Sequence, residues 1–307
     1  MISGVENDAF WDFYWEMRLQ AMETLGKREA ILTGSRLIRR LAETAPGRAR
    51  MLEFGCGEGQ IIGNLAEAHA QVRGTSESAG IDYLHSSIMK ARRDYPRLTF
   101  VEGDFTDPLL LERLGHFEIA LLVNALHEVF SATRASELDE VDVPAAKERV
   151  ARALEAASQR LNPGGYLLLF DGLEPPGDPQ QPVRLRFHEP LARAHFETFA
   201  REYQPFHIRY RSLSAERVEL SQHHFARYID KSIFLGKKLW QTERLESYQY
   251  FTEDEFRAAF QRAGLQIEEL RVLTVNEDKW QDTVEIETPG IAFPAEHILI
   301  VAKKEAA

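Results

Sequence analysis

Cysteine is nearly absent from this 307-residue chain, in which Cys56 stands alone. One thiol cannot close an internal disulfide or build a CxxC redox or zinc site, so no metal is expected and a reducing compartment fits. No apolar run reaches the length that a membrane-spanning helix needs. The opening stretch MISGVENDAFWDFYWEM lacks the basic start, apolar centre and small-residue cleavage site of a secretory leader. A cytoplasmic protein with no membrane partner is the expectation. Fixed-period repeats and low-complexity tracts are also missing, which sets aside solenoids and disordered linkers. Positive charge is scarce, with 37 Lys and Arg against 48 Asp and Glu and a net charge of −11. That balance disfavours a protein whose main task is to grip a phosphate backbone. Oligomeric state leaves no signature.

What is present has ordinary globular composition, 44% hydrophobic and 28% charged, laid out as alternating strand and helix signals. Helical spacing over 8–44 predicts N-terminal helices that end at the Pro46-Gly47 turn, so 1–47 reads as a helical preface. Residues 48–172 alternate. A strand over 50–54 meets a glycine-rich loop, and the helix QIIGNLAEAHA follows. A short strand ends at Gly80-Ile81-Asp82, before the helix SSIMKARRDY. The strand LTFVEGDF covers 98–105, and PLLLERLG reads as helical. A buried strand runs into a loop over 117–130. A strong helix pattern over 143–161 stops at Asn162-Pro163-Gly164-Gly165, and the strand YLLLFDG covers 166–172. Near-continuous apolar strands of this kind belong to a sheet covered on both faces.

The rhythm breaks over 173–250, behind the proline-rich EPPGDPQQP. There LARAHFETFAREY and ELSQHHFARYIDKSIFLGKKLW predict a mostly helical insertion, read as a lid or cap. The rhythm resumes over 251–307. FTEDEFRAAFQRAGL reads as a helix with Thr252 as N-cap and Glu255 completing a capping box. The strands QIEELRVLTV and AEHILIVAKK close the chain. The sum is a doubly wound, mainly parallel α/β sheet with helices on both faces, an architecture that binds ligands at the carboxyl ends of its strands.

The loop Glu53-Phe54-Gly55-Cys56-Gly57-Glu58-Gly59 joins the first such strand to its helix. A helix N-terminus offers free backbone N–H groups and a positive dipole end. Glycines let the chain turn sharply and let a ligand come close. The spacing is G-x-G-x-G, which departs from the dinucleotide fingerprint at its third glycine and disfavours a NAD-dependent dehydrogenase. Cys56, between two glycines, reads as a small filler that contributes backbone. Glu53 would be costly to bury unpaired, so it calls for loop N–H groups or a cation.

E-F-G-C-G-E-G resembles motif I of the class I, Rossmann-like methyltransferases that use S-adenosylmethionine (SAM), and later landmarks follow in the family's order. Gly80-Ile81-Asp82 resembles the end of its second strand, where the acidic residue meets the ribose hydroxyls. Glu102-Gly103-Asp104-Phe105 resembles the end of the third, where an Asp meets the adenine amino group. Val123-Asn124-Ala125-Leu126-His127 matches the fourth strand and the loop beside the methionine part of the cofactor. Leu161-Asn162-Pro163-Gly164-Gly165 matches the turn before the fifth. The resemblance covers about 48–172 and, more weakly, 251–304. It implies a seven-stranded sheet with an antiparallel last strand, and SAM as cofactor with S-adenosylhomocysteine (SAH) as product. It also implies cofactor contacts from Glu53, Gly55, Cys56, Gly57, Gly59, Asp82, Asp104, Phe105 and Asn124. Asp82 could instead cap the following helix and Asp104 a turn, and Phe105 could pack in the core. Two departures stand out: a long connection, QVRGTSESAG, before Asp82, and Asn at 124 where many relatives carry Asp.

Methyl transfer from a sulfonium needs an in-line nucleophile, and positioning supplies much of the rate. A base is needed only where the nucleophile must lose a proton. His127, just past the fourth strand, is the candidate general base, against the rival of a structural histidine bonded to a neighbouring carbonyl. In the insertion, His223, His224 and Tyr228 are candidate substrate residues or else ordinary helix surface. Across 183–246 the insertion carries 12 Lys and Arg against 8 Asp and Glu, a basic contrast with the whole chain. In the N-terminal aromatic stretch, Tyr14 and Arg18 are candidate cofactor contacts. Enzymatic methylation of a small-molecule acceptor is the leading expectation. The alternatives are an RNA or protein methyltransferase that docks through the basic insertion, and a non-catalytic SAM-binding regulator.

Overall fold

The computed structural model describes residues 25–44, 49–73, 77–132, 140–274 and 280–305. Tyr14 and Arg18, the candidate cofactor contacts, lie outside them. Helix α1 spans Leu25–Thr44, and the alternation then runs β1 (Met51–Phe54), α2 (Gln60–Arg73), β2 (Ala79–Asp82), α3 (His85–Asp94), β3 (Thr99–Glu102), α4 (Pro108–Leu114), β4 (Phe117–Val123), α5 (Leu126–Ser131), α6 (Val143–Gln159) and β5 (Leu161–Gly172). Further on, α10 (Glu253–Arg262), β9 (Leu265–Leu273) and β11 (His297–Lys304) complete the main unit. The strands form one seven-stranded sheet in the order β3-β2-β1-β4-β5-β11-β9. β1 to β5 are mutually parallel, and β11 runs antiparallel to both its neighbours. This is the expected fold, with the terminal strand in the expected role.

The central strands are buried on both faces because they are apolar at nearly every position while their side chains still alternate. Leu52, Phe54, Ala120, Leu122, Leu167, Leu169, Ile298 and Ile300 join one core. Met51, Ile119, Leu121, Val123, Leu168, Phe170, Leu299 and Val301 join the other. Helices α1, α2 and α3 cover the second core, and α5, α6 and α10 cover the first. Helix starts follow local chemistry. Asp107 accepts from the Leu109 N–H and Asp142 from the Ala145 N–H, each ahead of a proline in the first turn. The capping box at Thr252 and Glu255 forms as its spacing predicts. The Asn162–Gly165 turn becomes an irregularity within β5. Pairing jumps from Leu161 opposite Phe117 to Tyr166 opposite Ile119, and Gly164 takes a left-handed φ of 79°.

Segment 173–250 adds β6 (Pro182–Phe187), α7 (Pro190–Glu202), β7 (Tyr210–Ser212), β8 (Arg217–Ser221), α8 (Gln222–Lys231), a 3-10 turn (Ser232–Phe234) and the short α9 (Trp240–Glu243). Helix outweighs strand there without making up most of the segment. The addition is a second, four-stranded sheet, β10-β6-β8-β7, in which β10 (Val284–Ile286) comes from the later part of the chain. Its signal was period-two alternation. Val183, Leu185, Phe187, Val218 and Leu220 face inward, between outward-facing Arg184, Arg186, Arg217 and Glu219. A helical reading of 219 onward hid the strand end at Ser221, which caps α8 through the His224 N–H.

Candidate active site

Strand order reverses between β1 and β4, since β2 and β3 lie to one side and β5 to the other. At such a reversal the two adjacent loops diverge and leave a crevice outside the carboxyl ends. The glycine loop follows β1 and the Asn124–His127 stretch follows β4, so both line that crevice. Gly55, Gly57 and Gly59 all have left-handed φ, at 69°, 50° and 77°. A Cβ on Gly59 would strike the Phe100 ring at 2.8 Å, whereas one on Gly57 would meet nothing within 4 Å. The loop is therefore closed toward the core and open at Gly57. Cys56 is the expected filler. It is buried, and Gly80 leaves room for it, because a Cβ there would lie 2.7 Å from its Sγ. Burial, then the carboxylates of Glu53 and Asp82, push its thiol well up, so it is no nucleophile.

Glu53 is buried at the end of β1 and accepts from the Ile62 N–H in the first turn of α2 at 3.0 Å. Burial pushes its carboxyl up to about 8; the Ile62 N–H and Lys27 restrain the rise and Asp82 adds to it. Among the described residues no cation pairs with it within 4 Å, and Lys27 acts only from farther off, which fits a ligand that brings an ammonium group. Asp82 ties β2 to the loop, accepting from the Gly57 N–H at 2.8 Å through Oδ2 and from the Leu84 N–H at 2.8 Å through Oδ1. Asp104 is exposed, and its Oδ1 accepts from both the N–H and the hydroxyl of Thr106 at 2.7 Å, the local turn foreseen as its rival role. Phe105 is buried with its ring 5.9 Å from Phe54, which is core packing at the foot of Gly55. Asn124 has φ 51°, the one left-handed non-glycine among the described residues. Its N–H donates to the Phe170 carbonyl at 2.8 Å. Gly26 of α1 lies so close that a Cβ would come 2.9 Å from Asn124 Nδ2.

His127, the candidate base, stands between two acidic side chains. It is buried at the start of α5, and Asp171 at the end of β5 meets its Nδ1 at 2.8 Å. Asp171 also accepts from the N–H groups of Leu126, His127 and Gly172. A carboxylate can only accept, so Nδ1 carries a proton. Nε2 faces Glu246 Oε2 at 3.7 Å, beyond hydrogen-bond reach. Burial works against a charged ring, but Asp171 and Glu246 together outweigh it and lift His127 to about 10. Two carboxylates hold the ring toward its doubly protonated form, which suits it to donate more than to take a proton. Asp171 and Glu246 were missed. Asp171 had a signal, an acid ending the apolar run YLLLF, whereas Glu246 had none, since only the fold brings it to His127.

A family model described as a methyltransferase domain matches residues 27–270. The chain belongs to that methyltransferase family. The motif order places it in the class I, SAM-dependent branch. No curated protein matches it. Among solved structures, a TehB-like SAM-dependent methyltransferase from Corynebacterium glutamicum is 14% identical, with a TM-score of 0.42 over 98% of this chain and 100% of that one. SAM-bound CalS10, an amino pentose methyltransferase from Micromonospora echinaspora, is 16% identical, with a TM-score of 0.43 over 95% and 96%. Magnesium protoporphyrin IX methyltransferase from Synechocystis, with bound SAH, is 11% identical, with a TM-score of 0.43 over 98% and 97%.

In this methyltransferase the three substrate candidates of segment 173–250 fare differently. Tyr228 is fully buried among Phe187, Phe196, Phe199 and Trp280. It is a core residue of the segment rather than part of an open surface, which corrects its reading as a substrate contact. His224 accepts from the Arg209 N–H through Nδ1 at 3.2 Å, and burial, with His223 and Arg227 near, lowers it to about 3. His223 bonds Glu174 at 2.9 Å and lines a cavity of about 350 Å³ with Phe130, Glu174, Arg227 and Tyr250. The excess of cations is also internal. Nine of the twelve in 183–246 sit within 4 Å of a carboxylate, several of them on Glu140, Glu174, Glu285 and Glu287 outside that range.

Proposed function

We propose that this methyltransferase binds SAM across the carboxyl ends of β1 to β4 and methylates a small acceptor beneath segment 173–250. The observation that carries the reading is the glycine loop: three left-handed glycines, open at Gly57, bolted to Asp82 and set over a buried Glu53 that no cation pairs with among the described residues. When bound, the cofactor supplies an electrophilic methyl on a sulfonium. The chain's own groups bind and orient. The Asp82 oxygens keep lone pairs beyond their backbone bonds for the ribose hydroxyls. Asp104 stands at the next strand end for the adenine amino group, and Glu53 offers its charge to an ammonium. Asn124 shapes the wall beside the methionine part. His127, charged, donates from Nε2 and takes no proton. The segment over β5 keeps water out, which strengthens every polar contact inside.

A small acceptor is favoured over RNA because the cations of the segment are spent on internal pairs. Calorimetric titration tests the cofactor reading. SAM and SAH should bind and NAD should not, and absence of SAM binding would sink it. Methyl transfer that weakens steeply with added salt would revive a nucleic-acid acceptor.

A further inference from the structure

The segment's last stretch, Glu246 to Tyr250, crosses the carboxyl end of β5 at close range. A Cβ on Gly172 would lie 2.2 Å from the Tyr248 carbonyl, and the Ser247 N–H donates to Ser131 Oγ of α5 at 2.9 Å. Two cations converge on this crossing. Lys231, from α8, is fully buried. Its Nζ lies 2.6 Å from Glu243, 3.9 Å from Glu246 Oε2 and 3.3 Å from the centre of the Tyr248 ring. His127 approaches the same ring edge-on with centroids 4.2 Å apart. Glu246 Oε2 thus stands between Nε2 of His127 at 3.7 Å and Nζ of Lys231 and hydrogen-bonds to neither. These are close ion-pair distances that a small movement turns into hydrogen bonds, and apo contacts in active sites commonly tighten when a ligand enters.

We propose that Glu246 is a positioning residue for His127: seated against Nε2, it keeps the ring a two-proton donor that orients the methyl acceptor, so the inserted segment sets the chemical role of a core histidine. The orienting role rests on the methyl-transfer reading above, whereas the effect on the ring does not. Other charged groups act on the same ring. Asp171 faces it from β5, Glu128 follows it on α5, Asp230 and Lys231 approach from α8, and His297 lies on β11. Among the described residues Asp171 is the carboxylate at Nδ1 and Glu246 the carboxylate at Nε2. The two ring nitrogens therefore answer to different parts of the chain.

The test is a side-chain NMR titration of His127 in the full chain, with its signals assigned by their loss in His127→Gln. In the wild type both ring nitrogens should stay protonated through neutral pH. In Glu246→Gln the midpoint should fall by about one pH unit or more. Glu246→Asp, which keeps the charge, should recover much of that fall. An unchanged midpoint in folded Glu246→Gln, or a Glu246→Asp variant that behaves like Glu246→Gln, overturns the proposal. A wild type that fails to bind SAM yet shows the expected shifts removes the methyl-transfer reading and leaves the Glu246–His127 coupling standing.

Discussion

The two walls of the crevice are built differently. On the glycine-loop side, acidic groups are held by backbone: Glu53 by the Ile62 N–H, Asp82 by the N–H groups of Gly57 and Leu84. On the His127 side, ions hold ions across long stretches of chain: Asp171 with His127, His127 near Glu246, Glu246 near Lys231. Backbone partners are present in any sequence that makes the turn, so the first wall depends on glycines and spacing. Side-chain partners must be chosen one by one, so the second wall depends on segment 173–250 arriving in register. The first wall suits a cofactor common to a family, and the second can vary with the acceptor.

The largest effect should fall on the second wall. Asp171 is fully buried and accepts four hydrogen bonds. Asp171→Ala would strand the His127 ring and three backbone N–H groups, at a cost of about 3–5 kcal/mol. Urea unfolding should show it. A loss under about 1 kcal/mol would mean that Asp171 does not organise this wall.

The first wall has its own pH signature. Folded Glu53 keeps its proton up to about 8, far above its unfolded value. The unfolded chain releases that proton first, so the Glu53 contribution is fully present at low pH and is lost as pH rises toward 8. Between pH 6 and 8 the wild type should lose about 2–3 kcal/mol relative to Glu53→Gln. His127, raised to about 10, pulls stability down in the same direction, and subtracting the two stability curves removes its share because both proteins carry it. Saturating SAM should flatten the difference by giving Glu53 its cation. Parallel curves for the two proteins would refute the burial argument.

The walls also differed in how far the sequence disclosed them. Motif I, Asp82 and the seven-stranded order were legible because loop, strand end and helix start lie within a few residues of one another. Asp104 and Phe105 were legible as a strand end, but their local contacts, an Asx turn and an edge contact with Phe54, needed the fold. The Glu246–His127 approach could not be read, because it joins residues 119 positions apart, which only the crossing of β5 brings together. Tyr228 misled for a related reason. Helical spacing gave its face but could not say that a second sheet would bury it. That sheet was written in VRLRF as alternation, and the longer helical pattern beside it overrode the signal.

Asp82→Ala tests the first wall with a smaller effect than either buried carboxylate. Both Asp82 oxygens already hold backbone N–H groups, so the loop should loosen even before cofactor is added. SAM affinity should fall by about ten- to a hundredfold, or ~1.4–2.7 kcal/mol, while the unfolding midpoint moves little. If calorimetry gives unchanged SAM affinity, Asp82 is only a turn cap.

The smallest expected effect belongs to the plainest sequence feature. Thr252 and Glu255 form the capping box that starts α10 directly after the crossing segment, and Lys147 of α6 also reaches Glu255 at 2.5 Å. Thr252→Ala removes one acceptor for the Glu255 N–H and should cost about 1 kcal/mol, readable as a modest fall in Tm. If the cap only stabilises its helix, the His127 titration will be unchanged. If it also fixes where the chain leaves β5, the variant will shift the His127 midpoint in the direction of Glu246→Gln, since Tyr248 and Glu246 lie four and six residues upstream. The second outcome would make the second wall depend on a local signal after all, and would narrow the contrast between the two walls.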